Sequence, residues 1–436
     1  MPMDSDTTYP KCLEYMYSLR RFGIILGLDT IEKILNALGN PQNSFLSIHV
    51  TGTNGKGSIA STLASILRAS GKKVGLYTSP HLVRFNERIR VGDEAISDED
   101  VIRSHEAVKQ VVAGKREPTF FEYTTAMAFY YFALQGVEWA VIETGMGGRL
   151  DATNVITPAV SVISNVSLEH QMYLGKTLPL IAYEKGGIIK KKVPAVTGVK
   201  QPSAISVLDK IALEKQSSLY RMGTDFRVRR NRDGSFTYSG IKTTWSNMKT
   251  GLLGDYQAEN AAISLAACEV LNFGMLRLTL DVIRAGLAQT RWPGRLEIVL
   301  NHPLVVLDGA HNLMAARNLA AHLRKNMKEK KVTLVIGILD DKPYTEMLRA
   351  LLPTAHRVIL TQAKIDRALQ PEILFNEAKK IHPRIEIVKT VGEAFRHALR
   401  TAGRDNAVCV AGSLYVVGEV KEEIEKNPSL LNRINS

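Results

Sequence analysis

Apolar and polar positions alternate along this chain in two rhythms, one on either side of Trp292-Pro293-Gly294. Before that break, strand-length apolar runs occur at Phe45–Val50, Val74–Thr78, Trp139–Glu143 and Ala159–Asn165. Helical spacing covers Pro10–Leu38 (interrupted at Gly23 and Gly27), Ser58–Ala69, Phe121–Leu134, Gln257–Leu271 and Leu280–Gln289. The strand–loop–helix–strand order from Phe45 to Thr78 predicts a βαβ unit with its Gly-rich loop at the carboxyl end of the first strand. Between Phe226 and Gly240 the alternation turns at Asp233-Gly234, which predicts a small antiparallel hairpin. After the break, strands are expected at Leu296–Leu300, Val305–Asp308, Val332–Ile338, Val358–Gln362, Ile385–Val388 and Ala407–Ala411. Their regular alternation with helices predicts a mainly parallel sheet covered on both faces. No internal repeat or low-complexity stretch interrupts the pattern.

Composition narrows the class. The 436 residues suffice for two ordinary domains, and 45% hydrophobic with 23% charged residues is ordinary for a globular protein. No apolar run is long enough to span a bilayer, and the acidic stretch Met1–Pro10 lacks the apolar core of a secretory signal, so a cytoplasmic address is expected. Cys12, Cys268 and Cys409 stand far apart with no histidine at metal spacing, which predicts buried reduced thiols. A formal charge of +13 suits a polyanionic partner. The basic residues are scattered, the densest run being Lys190-Lys191-Lys192, so nucleotides and polycarboxylates account for the sign as well as nucleic acid does.

The candidate chemistry begins at Thr51-Gly52-Thr53-Asn54-Gly55-Lys56-Gly57-Ser58. Glycines let backbone N–H groups turn inward around a polyphosphate, and the following helix adds the positive end of its dipole. Lys56 would bridge β- and γ-phosphate oxygens, and the Ser58 hydroxyl would ligate Mg²⁺. Gly57 separates lysine from serine, so the loop departs from the strict Walker spacing.

That loop resembles the Mur ligase superfamily, and the inserted glycine resembles its folate branch, the folylpolyglutamate synthase and dihydrofolate synthase family. Further ordered motifs carry the resemblance over nearly the whole chain: Leu38-Gly39-Asn40-Pro41-Gln42, Thr78-Ser79-Pro80-His81-Leu82, Phe85-Asn86-Glu87-Arg88-Ile89, Phe120-Phe121-Glu122, Gly147-Gly148-Arg149-Leu150-Asp151-Ala152-Thr153-Asn154, Pro293-Gly294-Arg295 and Asp308-Gly309-Ala310-His311-Asn312. The implied fold class is α/β. An N-terminal P-loop mononucleotide-binding domain with a parallel sheet and a small antiparallel appendage spans residues 1–293, and a C-terminal Rossmann-like parallel-sheet domain spans 294–436.

The resemblance also implies roles. ATP would occupy residues Gly52 to Ser58 together with Asn260, Arg295, Asp308 and His311. One Mg²⁺ would lie at Ser58 and Ser79 and a second at Glu143 and His170. Magnesium prefers oxygen ligands, and on the residues alone His170 would be a hydrogen-bonded loop histidine. The segment Leu168-Glu169-His170-Gln171 stands where the family more commonly has Leu-Asp-His-Thr. Lys185, which in isolation resembles a solvated surface charge, corresponds to a lysine that this family carbamylates. Gly186 beside it replaces a more usual alanine and is expected to loosen the helix by about 1 kcal/mol. Phe85 and Phe121, with Phe120, would offer flat faces to a pterin or benzoyl ring, Asp151 would touch the same substrate, and Ser413 would contact the incoming glutamate. Asp308 ends a strand, where it could bind ribose hydroxyls or cap the helix starting at Asn312.

The implied activity is ATP-dependent amide formation between L-glutamate and a folate-type carboxylate through an acyl phosphate, with Lys56, Lys185, His170 and Arg295 as catalytic residues. The expected partners are small molecules, with neither nucleic acid nor membrane, and the expected state is a monomer. A ligase joining amino acids to a cell-wall precursor is the nearest alternative; Gly57 and the Ser79–Leu82 segment favour folate. A GTPase reading lacks an Asn-Lys-x-Asp signature, and a dinucleotide oxidoreductase lacks Gly-x-Gly-x-x-Gly after any C-terminal strand.

Overall fold

The computed structural model describes residues 7–112 and 116–431. The outermost residues of both expected domain spans, 1–6 and 432–436, lie outside that range. The chain forms two compact units, Met1–Gly251 with Gln257–Arg291, and Leu252–Tyr256 with Trp292–Ser436.

The first unit is built on an eight-stranded sheet made of β1 (Leu46–Thr51), β2 (Val74–Tyr77), β3 (Ile89–Val91), β4 (Glu94–Ala95), β5 (Trp139–Glu143), β6 (Val160–Ile163), β7 (Ala195–Thr197) and β8 (Leu219–Arg221). Its order is β4-β3-β2-β5-β1-β6-β7-β8, with β2 to β8 parallel in that list and β3 and β4 antiparallel at one edge. β1 is buried along all but its first residue, as its central position requires. The helix Lys56–Ala69 returns the chain from β1 to β2, which lies beyond β5, while β6 pairs with the other side of β1. Strand order therefore reverses at β1, and ligands of such sheets gather outside the carboxyl ends at that point.

Several elements differ from the periodic pattern. The long N-terminal helix is two helices, Tyr9–Ser18 and Asp29–Ala37, separated by a 3₁₀ turn and by Gly23 and Gly27, both at positive φ. The phosphate-loop helix begins at Lys56, two residues before Ser58. The hairpin gains a third strand: β9 (Arg227–Arg230), β10 (Phe236–Ser239) and β11 (Thr244–Met248) pair antiparallel in the order β11-β10-β9. The buried Glu269 carboxylate pins this appendage, accepting from the Tyr238 hydroxyl at 2.8 Å and from the Ile241, Lys242 and Thr243 amides.

The second unit carries β12 (Glu297–Asn301), β13 (Leu304–Leu307), β14 (Val332–Ile336), β15 (Arg357–Gln362), β16 (Ile385–Thr390) and β17 (Ala407–Ala411), in the order β12-β13-β17-β14-β15-β16. Only β12 runs antiparallel to its neighbour. Leu252–Tyr256 belongs to this unit for physical reasons. Tyr256 packs on its core, Gly254 at φ +108 lets Leu296 approach, and Asp255 pairs with Lys325 at 3.1 Å. Among the described residues no helix is long and apolar enough to cross a membrane.

Candidate active site

Parallel register assembles the site. Val50 stands opposite Glu143, Tyr77 opposite Ile142 and Thr51 opposite Ile163, so the segments after β1, β2, β5 and β6 leave one sheet edge at one level.

The loop after β1 is clamped by residues that the motif does not contain. Asn165 brackets Asn54, accepting its amide at 3.0 Å and donating to its carbonyl at 2.9 Å, while the Ser164 hydroxyl donates to the same carbonyl at 2.6 Å. Gly52 sits at φ +149, and a Cβ there would lie 1.8 Å from Ser164 Oγ. Gly55 is the left-handed residue before the helix; a Cβ on it would lie 2.5 Å from Asn260 Oδ1. No side chain caps that helix, so its first amides point into the loop as anion donors. Lys56 Nζ folds over the loop, donating to the carbonyls of Gly52 and Thr53 at 3.0 and 3.2 Å. Asn260 donates to Gln257, and Gln257 donates to the Ser58 hydroxyl at 3.3 Å, which ties the nucleotide-site candidates Asn260 and Ser58 together. Gly57 lies in the first turn of the helix, and Thr53 in the loop before it accepts from the Ser167 amide at 3.0 Å.

Glu143 is buried at the end of β5 and accepts the Ser79 amide at 3.2 Å, so these two metal-site candidates touch. The Ser79 loop is held open by Glu87, whose carboxylate accepts the Leu82, Val83 and Arg84 amides at 2.7 to 2.9 Å. The hydroxyls of Ser58 and Ser79 and the carboxylate of Glu143 are hard oxygen donors, a set that suits Mg²⁺. Among the described residues, no group of three or more His, Cys, Asp or Glu gathers as a metal cage. Magnesium tolerates this, since it keeps waters and takes phosphate oxygens. His170 is a left-handed residue opening the short helix Gln171–Leu174, exposed, with Nε2 3.9 Å from Glu169 Oε1.

Lys185 is not a solvated surface charge. It is 3% exposed, inside the last turn of the helix Leu178–Gly186. Burial, reinforced by the Lys56 ammonium, pushes its pKa down to about 7, against the opposing pull of Glu169 and Asp151. Its turn is locked by Arg149, which donates from its amide to Glu184 O at 2.7 Å and pairs with the Glu184 carboxylate at 2.8 Å. Gly186 lies in the same turn. A Cβ there would lie 2.5 Å from Ile211 Cδ1 and 3.0 Å from Leu208 Cδ2, so the glycine packs directly against side-chain ends of the helix Pro202–Glu214.

The aromatic candidates separate. Phe121 is half-buried, stacks on Tyr77 at 6.0 Å, and lies so close over Gly145 that a Cβ there would meet its ring at 2.7 Å. Phe85 is 1% exposed and packs edge-on to Phe120 and His81, so the expected free face is absent and it supports the aromatic cluster from within the core. Asp151 is buried and caps the turn Ala152–Val155, and burial raises its pKa despite hydrogen bonds from Thr153 and Met146.

In the second unit, the Arg295 guanidinium is brought against Gly309, where a Cβ would lie 2.3 Å from Nη1, and donates to Gly294 O at 3.1 Å. Asp308 accepts the Leu296 and Ala310 amides at 2.9 and 3.0 Å, and burial raises its pKa while Arg295 opposes. The helix cap is Asn312, whose Oδ1 accepts from Ala315, so the capping alternative for Asp308 is excluded. His311 Nδ1 lies 2.7 Å from Gly309 O. Ser413 is 1% exposed and caps the helix Leu414–Lys426, which occupies its hydroxyl as an acceptor. Sequence reasoning assigned no role to Ser164, Asn165, Glu87 or Thr153; for Ser164 and Asn165 the available signal was two small polar residues directly beyond the apolar strand β6, while Glu87 and Thr153 stood unremarked inside the quoted motifs.

Residues 50–268 match the Mur ligase middle domain and residues 294–414 the Mur ligase glutamate ligase domain. The chain is 34% identical to the dihydrofolate synthase/folylpolyglutamate synthase of Bacillus subtilis (strain 168), covering 96% of this chain and 100% of that one. It is 36% identical to the folylpolyglutamate synthase of Lacticaseibacillus casei, covering 95% and 98%. It also resembles the solved structure of E. coli FolC in complex with DHPP and ADP, with a TM-score of 0.90 at 31% identity over 98% of this chain and 100% of that chain.

Proposed function

This chain belongs to the folylpolyglutamate synthase and dihydrofolate synthase family of Mur ligases, and from that premise we propose how its residues divide the work. It is an ATP-dependent ligase that joins L-glutamate to a folate-type carboxylate and uses Mg²⁺. The acceptor is dihydropteroate, a tetrahydrofolyl-(poly)glutamate, or both. The observation that carries this reading is the meeting, at one sheet edge, of a clamped phosphate loop, the Ser79–Glu143 pair and the buried Lys185.

The substrate ATP is held by the loop amides of residues 52 to 58 and by Lys56, whose Nζ leaves the Gly52 and Thr53 carbonyls for phosphate oxygens. Asn260 would hold more of the nucleotide in the first unit, and Asp308 and His311 are the nucleotide-contact candidates of the second unit. Ser58 and Ser79 would hold one Mg²⁺, with Glu143 and His170 beside a second. When bound, the metal neutralises phosphate charge. The acceptor carboxylate attacks the γ-phosphorus and ADP leaves, giving an acyl phosphate. The glutamate amine, positioned by Ser413, then attacks the acyl carbon, and phosphate departs as the amide forms. Lys56 stabilises the developing negative charge in the first unit, and Arg295 is the second unit's candidate for that role. Phe121 and Asp151 bear the acceptor's ring system, with Phe85 packed behind as support. Lys185, neutral in part near pH 7, combines with CO₂ and loses a proton to become a carbamate anion. The same reading takes the enzyme as a cytoplasmic monomer without a nucleic-acid partner.

The test is ADP release with dihydropteroate or tetrahydrofolate, each with and without L-glutamate. Sustained release should require an acceptor and glutamate together. Release that ignores both, or that nucleic acid stimulates, would overturn the reading.

A further inference from the structure

His49 lies at the centre of β1, fully buried, and the chemistry above does not use it. Its Nε2 is 2.8 Å from the Thr153 hydroxyl, and that hydroxyl donates to Asp151 Oδ1 at 2.6 Å. A hydroxyl has one proton; with it committed to Asp151, Thr153 Oγ1 accepts from His49. The ring hydrogen is therefore on Nε2. Nδ1 is buried and has no hydrogen-bond partner among the described residues, as a bare lone pair would be. Burial, and then the Lys190 ammonium, push the His49 pKa down to about 3, so the ring stays neutral around pH 7. Packing alone does not account for this residue, because an apolar side chain would fill the strand without burying an unpaired nitrogen.

Asp151 is where the relay acts. Its Oδ1 also accepts the Thr153 amide at 3.0 Å and its Oδ2 accepts the Met146 amide at 2.9 Å. It thus ties the turn Ala152–Val155 to the loop that leaves β5. That loop is the shared floor of the site. Phe121 lies on Gly145, Gly147 O accepts from the Thr51 hydroxyl, and Gly148 packs so tightly under the Lys185 turn that a Cβ would come within 3.0 Å of Lys185 O.

We propose that His49 is a positioning residue of the ligase site. Acting through Thr153, it fixes the Asp151 carboxylate, and with it the loop on which the acceptor's aromatic face and Lys185 rest. The inference rests on the reading that the acceptor binds against Phe121 and Asp151.

Two measurements on the full chain test it. The first is steady-state kinetics of Thr153→Val and Thr153→Ser with a folate-type acceptor. Thr153→Val breaks the relay and should raise the acceptor KM about tenfold while the ATP KM changes by less than about twofold; Thr153→Ser keeps the hydroxyl and should restore the acceptor KM. A purely structural role would lower the amount of active enzyme without separating the two KM values, and an unsplit pair overturns the proposal. The second is ¹⁵N-histidine NMR of the wild-type protein, with the His49 signals identified by their loss in His49→Gln. Nε2-protonated nitrogen shifts, unchanged between about pH 5.5 and 8, are expected for a ring pinned in this way. An Nδ1-protonated or titrating ring overturns the proposal even if Thr153→Val does not fold. If the wild-type enzyme uses no folate-type acceptor, it is the functional reading that fails, and the tautomer result still decides the relay.

Discussion

Replacing Lys185 by methionine should make the protein more stable and inactive, with a stability gain that depends on pH. The substitution keeps a long unbranched side chain of similar volume and removes only the ammonium. Lys185 is 3% exposed, so its charge is poorly screened, and its pKa falls from 10.5 to about 7 in the fold. The unfolded chain then binds more protons than the folded one between those values, so wild-type stability rises with pH across that window. Below about pH 7 the folded state carries the whole cost of the buried cation, roughly 5 kcal/mol at about 1.4 kcal/mol per factor of ten. Near pH 9 that cost shrinks to roughly 2 kcal/mol. In CO₂-free, magnesium-free buffer, urea unfolding of Lys185→Met should therefore exceed wild type most clearly at about pH 6, with the gap narrowing by about 3 kcal/mol at about pH 9. A gap independent of pH, or a variant less stable than wild type at the lower pH, refutes the burial argument. Retained ligase activity refutes the assignment of Lys185 to the site.

Lys56→Ala should abolish product formation and leave the far-UV circular dichroism unchanged, since Lys56 Nζ touches only loop carbonyls at 3.0 and 3.2 Å and no core. Glu143→Gln preserves volume and removes the anionic oxygen, so the Mg²⁺ concentration for half-maximal activity should rise about tenfold or more; an unchanged titration moves the metal elsewhere. Gly186→Ala gains about 1 kcal/mol of helix propensity but forces a methyl to within 2.5 Å of Ile211 Cδ1, an overpacking cost of about 1–3 kcal/mol. Net destabilisation of about 1 kcal/mol is expected in denaturant unfolding, eased by a second change, Ile211→Val, and a stabilised single variant contradicts the packing account.

Much of this protein is written locally. The βαβ unit around Gly52–Ser58 and the alternating strands between residues 296 and 411 are legible because apolar period and turn chemistry act over a few residues, whereas the inclusion of Leu252–Tyr256 in the second unit is not. The phosphate loop is legible for the same reason: its glycines and Lys56 are neighbours in the chain. Burial by distant segments leaves no such mark. Lys185 has the composition of a surface turn, yet it is 3% exposed, in a turn packed against Gly148 and against the helix Pro202–Glu214. Phe85 and Phe121 are alike in sequence; the tertiary structure encloses the first among Phe120 and His81 and leaves the second half-covered on Gly145. β7 and β8 are short and were not apparent as periodic runs; they are strands because β6 offers an edge to pair with. The chain by itself determined which residues could form the Gly-rich loop, and the parallel register of β1, β2 and β5 decided that Ser79 and Glu143 would meet at the level of that loop, because hydrogen bonding between strands sets the level at which each one ends.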